Sequence, residues 1–168
     1  ILGSIVDSNH GMMIYISQHS GTVTYFYDSN GTEKYAATDS STEGTGSFGT
    51  GASGWHHVVC TMTYNSSSSA TMKVYMDGVE QTLSGSNDGA YGGNMANFAN
   101  TTRNIYFGCR NNSGAADNFS GQAEGGGEGA AFLRDLRFYD YDLSADQVAS
   151  LYSGSYNVTP LHHWSVNP

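Results

Sequence analysis

The chain has 168 residues, of which only 12% are charged, and it is rich in Gly, Ser, Thr, Asn and Tyr. Its formal charge of -9 leaves six basic residues, Lys34, Lys73, Arg103, Arg110, Arg134 and Arg137, too few for the footprint that nucleic acid or an anionic membrane surface requires. No apolar run reaches the ~18–20 residues that span a bilayer, and Cys60 and Cys109 are too few for a disulfide framework, leaving one bridge or two buried thiols both open.

Apolar residues recur with period two down most of the chain, bounded by Gly, Asn, Asp and Ser, which predicts an all-β sandwich or barrel. In chain order the predicted strands are Met12–Ser17, Thr22–Tyr27, Glu33–Ala37, His56–Tyr64, Thr71–Met76, Val79–Leu83, Asn104–Cys109 and Phe132–Tyr139. A turn is predicted at "DSNG", Asp28–Gly31. The clearest hairpin is "TMKVYMDGVEQTL", where Asp77-Gly78 supplies the positive-φ pair of a type I′ turn. It places Met72, Val74 and Met76 on one face, with Lys73 and Tyr75 on the other. Three polar, glycine-rich stretches, Thr38–Gly54, Ser84–Thr102 and Asn111–Ala130, read as long loops, the first places to look for binding.

One helix is predicted, in "DLSADQVASLYSG". Ser144 and Gln147 form a capping box, while Leu143 and Val148 form a hydrophobic staple. Val148, Leu151 and Tyr152 make an apolar stripe, and Gly154 suits the left-handed position after the last turn. Asp146 complements the helix dipole, and Asp135 is expected to pair with nearby arginines.

Three segments together resemble one family. "GWHHVVCTMTYNSSSSATMKVYMDGVEQT", "IYFGCRNN" and "FLRDLRFYDYDLSADQVASLY" look, in that order, like successive strands and the closing helix of laminin-G-like and pentraxin-like domains, which are concanavalin A-like jelly rolls. The resemblance implies an antiparallel jelly-roll β-sandwich with one short C-terminal helix over residues 1–156, lacking one or more N-terminal strands. Residues 157–168, with "PLHHWSVNP", then serve as a linker and a strand that completes the sandwich or opens a following module. The chain thus reads as part of something longer.

Catalytic patterns are poorly met. Adjacent side chains on a regular strand point to opposite faces, so neither His56-His57 nor His162-His163 suits a single ion. A glycosidase needs two facing carboxylates. The family's hydrolytic members carry alternating acids on one strand, whereas Glu124 and Glu128 here lie in a glycine-rich loop. Calcium is the cation the resemblance implies, and its hard-oxygen ligands would come from Asp88, Asp117, Asn118, Glu124 and Glu128. A glycan would find its aromatic platform at Tyr91, beside Asn87, Asp88 and Asn94. Sequons begin at Asn30, Asn65, Asn100, Asn111, Asn118 and Asn157.

The expected function is a non-catalytic module for adhesion or structural assembly, extracellular, at the cell surface or on a virion, whose partners are other subunits or modules of a larger assembly. The alternative expectation is a carbohydrate-binding, lectin-type module using calcium. Neither nucleic acid nor membrane insertion is expected.

Overall fold

The computed structural model describes residues 2–7, 10–16, 22–29, 32–38, 54–66, 69–83, 90–92, 109–112, 115–119, 133–155, 160 and 162–164. Among them the chain is strand-rich, every strand pairing is antiparallel, and one short helix is present. One four-stranded sheet runs in chain order through β1 (Leu2–Asp7), β2 (His10–Ile16), β3 (Val23–Ser29) and β4 (Thr32–Ala37). Ser29 pairs with Thr32, while Asn30 and Gly31 of the turn predicted at Asp28–Gly31 lie outside the described residues.

A second sheet is built on β5 (Val58–Ser66) and β6 (Ser69–Met76), which run together from Val58↔Met76 to Ser66↔Ser69. The other edge of β6 is shared. β7 (Val79–Glu80) pairs with its end, and β8 (Ala90–Gly92) pairs with its start. Two further ladders join β9 (Cys109–Asn112) to β10 (Ala115–Phe119) and β11 (Leu136–Phe138) to β12 (His162–Trp164).

The alternation read in the hairpin decides where β6 buries its side chains. Ala70, Met72, Val74 and Met76 join Val23 and Tyr25 of β3 in one apolar cluster, flanked by Ile14, Val58, Cys60, Met62 and Leu83. Tyr75 points the other way and meets Leu143, Val148 and Leu151, with Val59 and Tyr139 beside them. Strand β6 is therefore covered on both faces, by β3 on one and by α1 (Ala145–Ser153) on the other. Burying each large apolar side chain contributes roughly 1.5–3 kcal/mol, so these two clusters fix the register of β5 against β6.

Thr38 joins the two sheets at a corner. Its backbone N–H donates to Val23 O at 3.0 Å and its hydroxyl accepts from Val23 N at 3.1 Å, while it also forms a bridge to Leu83. With its N–H and hydroxyl engaged by Val23, Thr38 is fully buried.

The helix begins and ends as its sequence predicts. Gln147 N–H donates to Ser144 Oγ at 3.2 Å and Ser144 N–H to Gln147 Oε1 at 2.8 Å, completing the capping box. Leu143 and Val148 share the helix cluster, as a staple requires. Gly154, at φ 73°, donates its N–H to Leu151 O and ends the last turn. Ser144→Ala is expected to cost about 1 kcal/mol, read as a shift of the urea midpoint at unchanged slope; no shift would mean that Gln147 alone holds the helix start.

Several readings need correction. Segment Ala90–Gly92 was expected in a loop but forms β8, and part of the third predicted loop forms β9 and β10. Their residues give little apolar–polar alternation, and pairing with a partner supplies the order that local pattern lacks. Strand β1 had no predicted counterpart. Tyr152 does not share the buried stripe of the helix; it is 54% exposed. Among the described residues Asp135 pairs with His163, at 3.1 Å.

Candidate functional site

The chemistry-bearing side chains gather where the segment Gly54–His57 enters β5 and meets the β6–β7 turn. Asp77 and Gly78 adopt φ of 49° and 83°, the left-handed pair of a type I′ turn. Asp tolerates that region because its short polar side chain can bond locally. Here it bonds to the entering segment: Asp77 Oδ1 accepts from His57 N–H at 2.9 Å, and Oδ2 lies 2.8 Å from His56 Nδ1. The Asp77 N–H returns a bond to His57 O at 2.8 Å. Strand β5 starts at Val58, so the histidines precede it rather than forming its first residues, and both reach one carboxylate, one by its ring and one by its backbone.

Burial disfavours the charge of Asp77, but the hydrogen bonds from the His56 ring and the His57 N–H outweigh it and hold the carboxyl below its ordinary value. The carboxylate is therefore ionised near neutrality, which places the proton of His56 on Nδ1. His57 is pushed the opposite way to an ordinary salt-bridged histidine. Burial lowers its pKa, Asp77 opposes this only partly, and Arg137 lowers it further. The His57 ring stacks on Tyr152 of α1, centroids 6.0 Å apart, and Tyr152 also covers Gly78, where an added Cβ would lie 3.1 Å from the Tyr152 ring. Turn, entering segment and helix thus hold one another.

A histidine bonded to an aspartate has the form of a general base with its orienting group. However, His56 Nε2 is enclosed by protein, so the pair presents no basic nitrogen to a substrate. Cys60 is a free thiol, and burial pushes its pKa far up, away from the thiolate that nucleophilic chemistry needs.

Two surface features lie nearby. The guanidinium carbon of Arg134 sits 4.6 Å above the ring centroid of Trp55, which is 52% exposed. Beside Arg134 in the chain, Asp135 at φ 56° has its carboxylate engaged by His163 of β12. Separately, an open groove of about 570 Å³ runs along Thr71, Met72 and Lys73 of β6 and Glu80–Leu83. Lys73 and Glu80 pair across 3.1 Å within it, both well exposed, so the pair contributes at most about 1 kcal/mol.

The residues expected to bind calcium or glycan are only partly placed. Tyr91 lies on β8 opposite Ala70, and Asp117 lies on β10 opposite Arg110, with Asn118 at the bulge that follows. All three thus have strand backbone rather than the loop expected of them. Asn87, Asp88, Asn94, Glu124 and Glu128 lie outside the described residues. Among the described residues no three His, Cys, Asp or Glu side chains converge as a metal site, and no helix is long and apolar enough to cross a membrane. Of the sequons, Asn65 is exposed on β5 with its amide donating to Thr71 Oγ1 at 2.9 Å.

The clamp on Asp77 was legible only as a turn, and the Trp55–Arg134 stack had no signal in sequence because 79 positions separate the two residues. No protein-family profile, curated protein or solved structure matches this chain.

Proposed function

We propose that this chain is a non-catalytic, laminin-G-like jelly-roll module that serves adhesion or assembly at an exterior surface, of a cell or of a virion. The observation that carries this reading is the use made of the His56–Asp77 pair. Of the two His–Asp pairs among the described residues, the shorter, His56–Asp77, is spent on locking the β6–β7 turn, with its distal nitrogen enclosed, while the other, His163–Asp135, lies on the surface. A scaffold is built this way, because a catalytic base needs an accessible nitrogen within reach of a proton.

The covered faces of β6 agree with the jelly-roll reading. One side of the strand meets another sheet's residues, and the other meets the helix that follows the last strand of the resemblance. The β11–β12 ladder also bears on residues 157–168: His162–Trp164 pairs within this chain, as a segment completing the module would.

The test combines two measurements on the chain. Release of reducing ends from a panel of neutral and acidic polysaccharides is expected to stay at the blank, and sedimentation is expected to show self-association rising with concentration. A chain that remains monomeric and hydrolyses any of these polysaccharides would overturn the reading.

A further inference from the structure

We propose that Trp55 and Arg134 form a shallow binding site for a saccharide bearing a single carboxylate, such as a terminal uronic acid. The inference rests on surface chemistry alone and stands whether or not the module reading does.

The starting point is an unspent guanidinium. Arg134 is exposed and makes no ion pair among the described residues, in a chain that carries 15 acidic side chains against six basic ones. Its nearest neighbour in sequence, Asp135, has its carboxylate bonded to His163. The Arg134 guanidinium carbon lies 4.6 Å over the Trp55 ring, within cation–π reach. Arg134 makes no ion pair among the described residues, and its five N–H donors suit a carboxylate in the two-pronged geometry that arginine favours. The indole keeps water from part of the guanidinium, which strengthens any such contact.

The exposed indole supplies the second half of the site. Gly54, just before Trp55, adopts φ 106°, and no described residue beyond its chain neighbours lies within 4 Å of the position its Cβ would occupy. A flat, half-exposed aromatic surface suits the C–H face of a pyranose, while the carboxylate at the sugar's edge reaches the guanidinium. An acidic peptide fits less well. It would seek backbone partners on the segment beside Trp55, but His57 N–H and C=O are already bonded to Asp77. A polyanion is disfavoured too, because the chain's charge of -9 repels it. The remaining class is a sugar with one carboxylate.

The test uses a matched pair of probes, methyl β-D-glucuronide and methyl β-D-glucoside, which differ only at C6. Binding is followed by NMR at the Trp55 indole N–H, assigned from Trp55→Phe. The glucuronide is expected to bind with a Kd on the order of millimolar and the glucoside about tenfold more weakly. Arg134→Gln is expected to reduce the glucuronide to the level of the glucoside, and Trp55→Ala, which lacks the indole reporter and is followed instead by saturation transfer to the sugar protons, to abolish both. Because both side chains are exposed, these variants keep the fold, which circular dichroism checks. Equal binding of the two sugars, or glucuronide binding indifferent to Arg134→Gln, would overturn the proposal. So would the absence of any indole shift. If N-acetylglutamate amide binds as tightly as the glucuronide, the site recognises carboxylates without regard to sugar, and the saccharide assignment fails.

Discussion

Met72→Ala is expected to lower the free energy of unfolding by about 2–5 kcal/mol, the range for truncating a buried Leu, Ile or Met. Met72 is 1% exposed and lies opposite Met62 in the β5–β6 register, in the cluster that also takes in Val23 and Tyr25 from β3. Removing its thioether opens a cavity between strands whose positions are held by backbone ladders, so collapse can close little of it. In a chain of this length each kcal/mol moves the melting temperature by roughly 2–4 °C, which makes the loss easy to read. Met72→Leu keeps the volume and should cost under about 1.5 kcal/mol. Val79→Ala is the matched control: Val79 is 63% exposed, and its truncation should stay within about 0.5 kcal/mol. If Met72→Ala proves as mild as Val79→Ala, β3 and β6 do not share a core.

Met72 also shows how much of this fold was legible in the sequence. Wherever apolar and polar residues alternate strongly, as from Val58 to Met76, the pattern gave the strand, its faces and its turn together. The helix was equally legible, because cap, staple and terminal glycine are local signals that all point to the same ends. Segments such as Ala90–Gly92 and Ala115–Phe119 carry no such signal. Their strand state depends on a partner, Ser69–Thr71 for the first and the adjacent Cys109–Asn112 for the second, and short segments without alternation do not announce their partners. The start of β5 marks another limit. Alternation extended backward through His57 and His56, but Asp77 competes for both residues and draws them off the ladder.

The surface was less legible still. Loop composition pointed to Tyr91 and to Asp117 and Asn118, which have strand backbone, while the exposed aromatic with an unspent charge beside it is Trp55 with Arg134. Trp55 stands just ahead of the strand read from sequence, His56–Tyr64. Its exposure follows from Gly54, whose positive φ turns the chain just before it, and Arg134 reaches it from the segment ahead of β11.

Asp77→Ala is expected to destabilise the fold by about 2–4 kcal/mol. The estimate takes two charge-assisted hydrogen bonds at about 1.5–3 kcal/mol each, reduced because the carboxylate is partly exposed, and adds the strain of placing Ala at φ 49°. Asp77→Asn tolerates the left-handed backbone and keeps an acceptor for His57 N–H, so it should cost less than Asp77→Ala. The pH dependence then separates charge from geometry. The folded pKa of Asp77 lies below its ordinary 3.8, so its contribution is present above that value and is lost as pH falls through the folded pKa. His57 acts at higher pH. Its folded pKa lies below the ordinary 6.5, so the unfolded chain takes up a proton first, and stability declines as pH falls from 6.5 toward the folded value. Asp77→Asn should abolish the lower of these two losses. It should also enlarge the upper one, because the Asp77 charge is what favours protonated His57, and without it the folded pKa drops further. His57→Gln should flatten the upper loss and, because the His57 charge also favours ionised Asp77, reduce the lower one slightly. Urea midpoints measured from pH 8 to pH 3 for the three proteins decide the matter. A steeper decline between pH 7 and 5 in Asp77→Asn supports the coupling, and an unchanged slope would show that His57 does not sense the turn carboxylate.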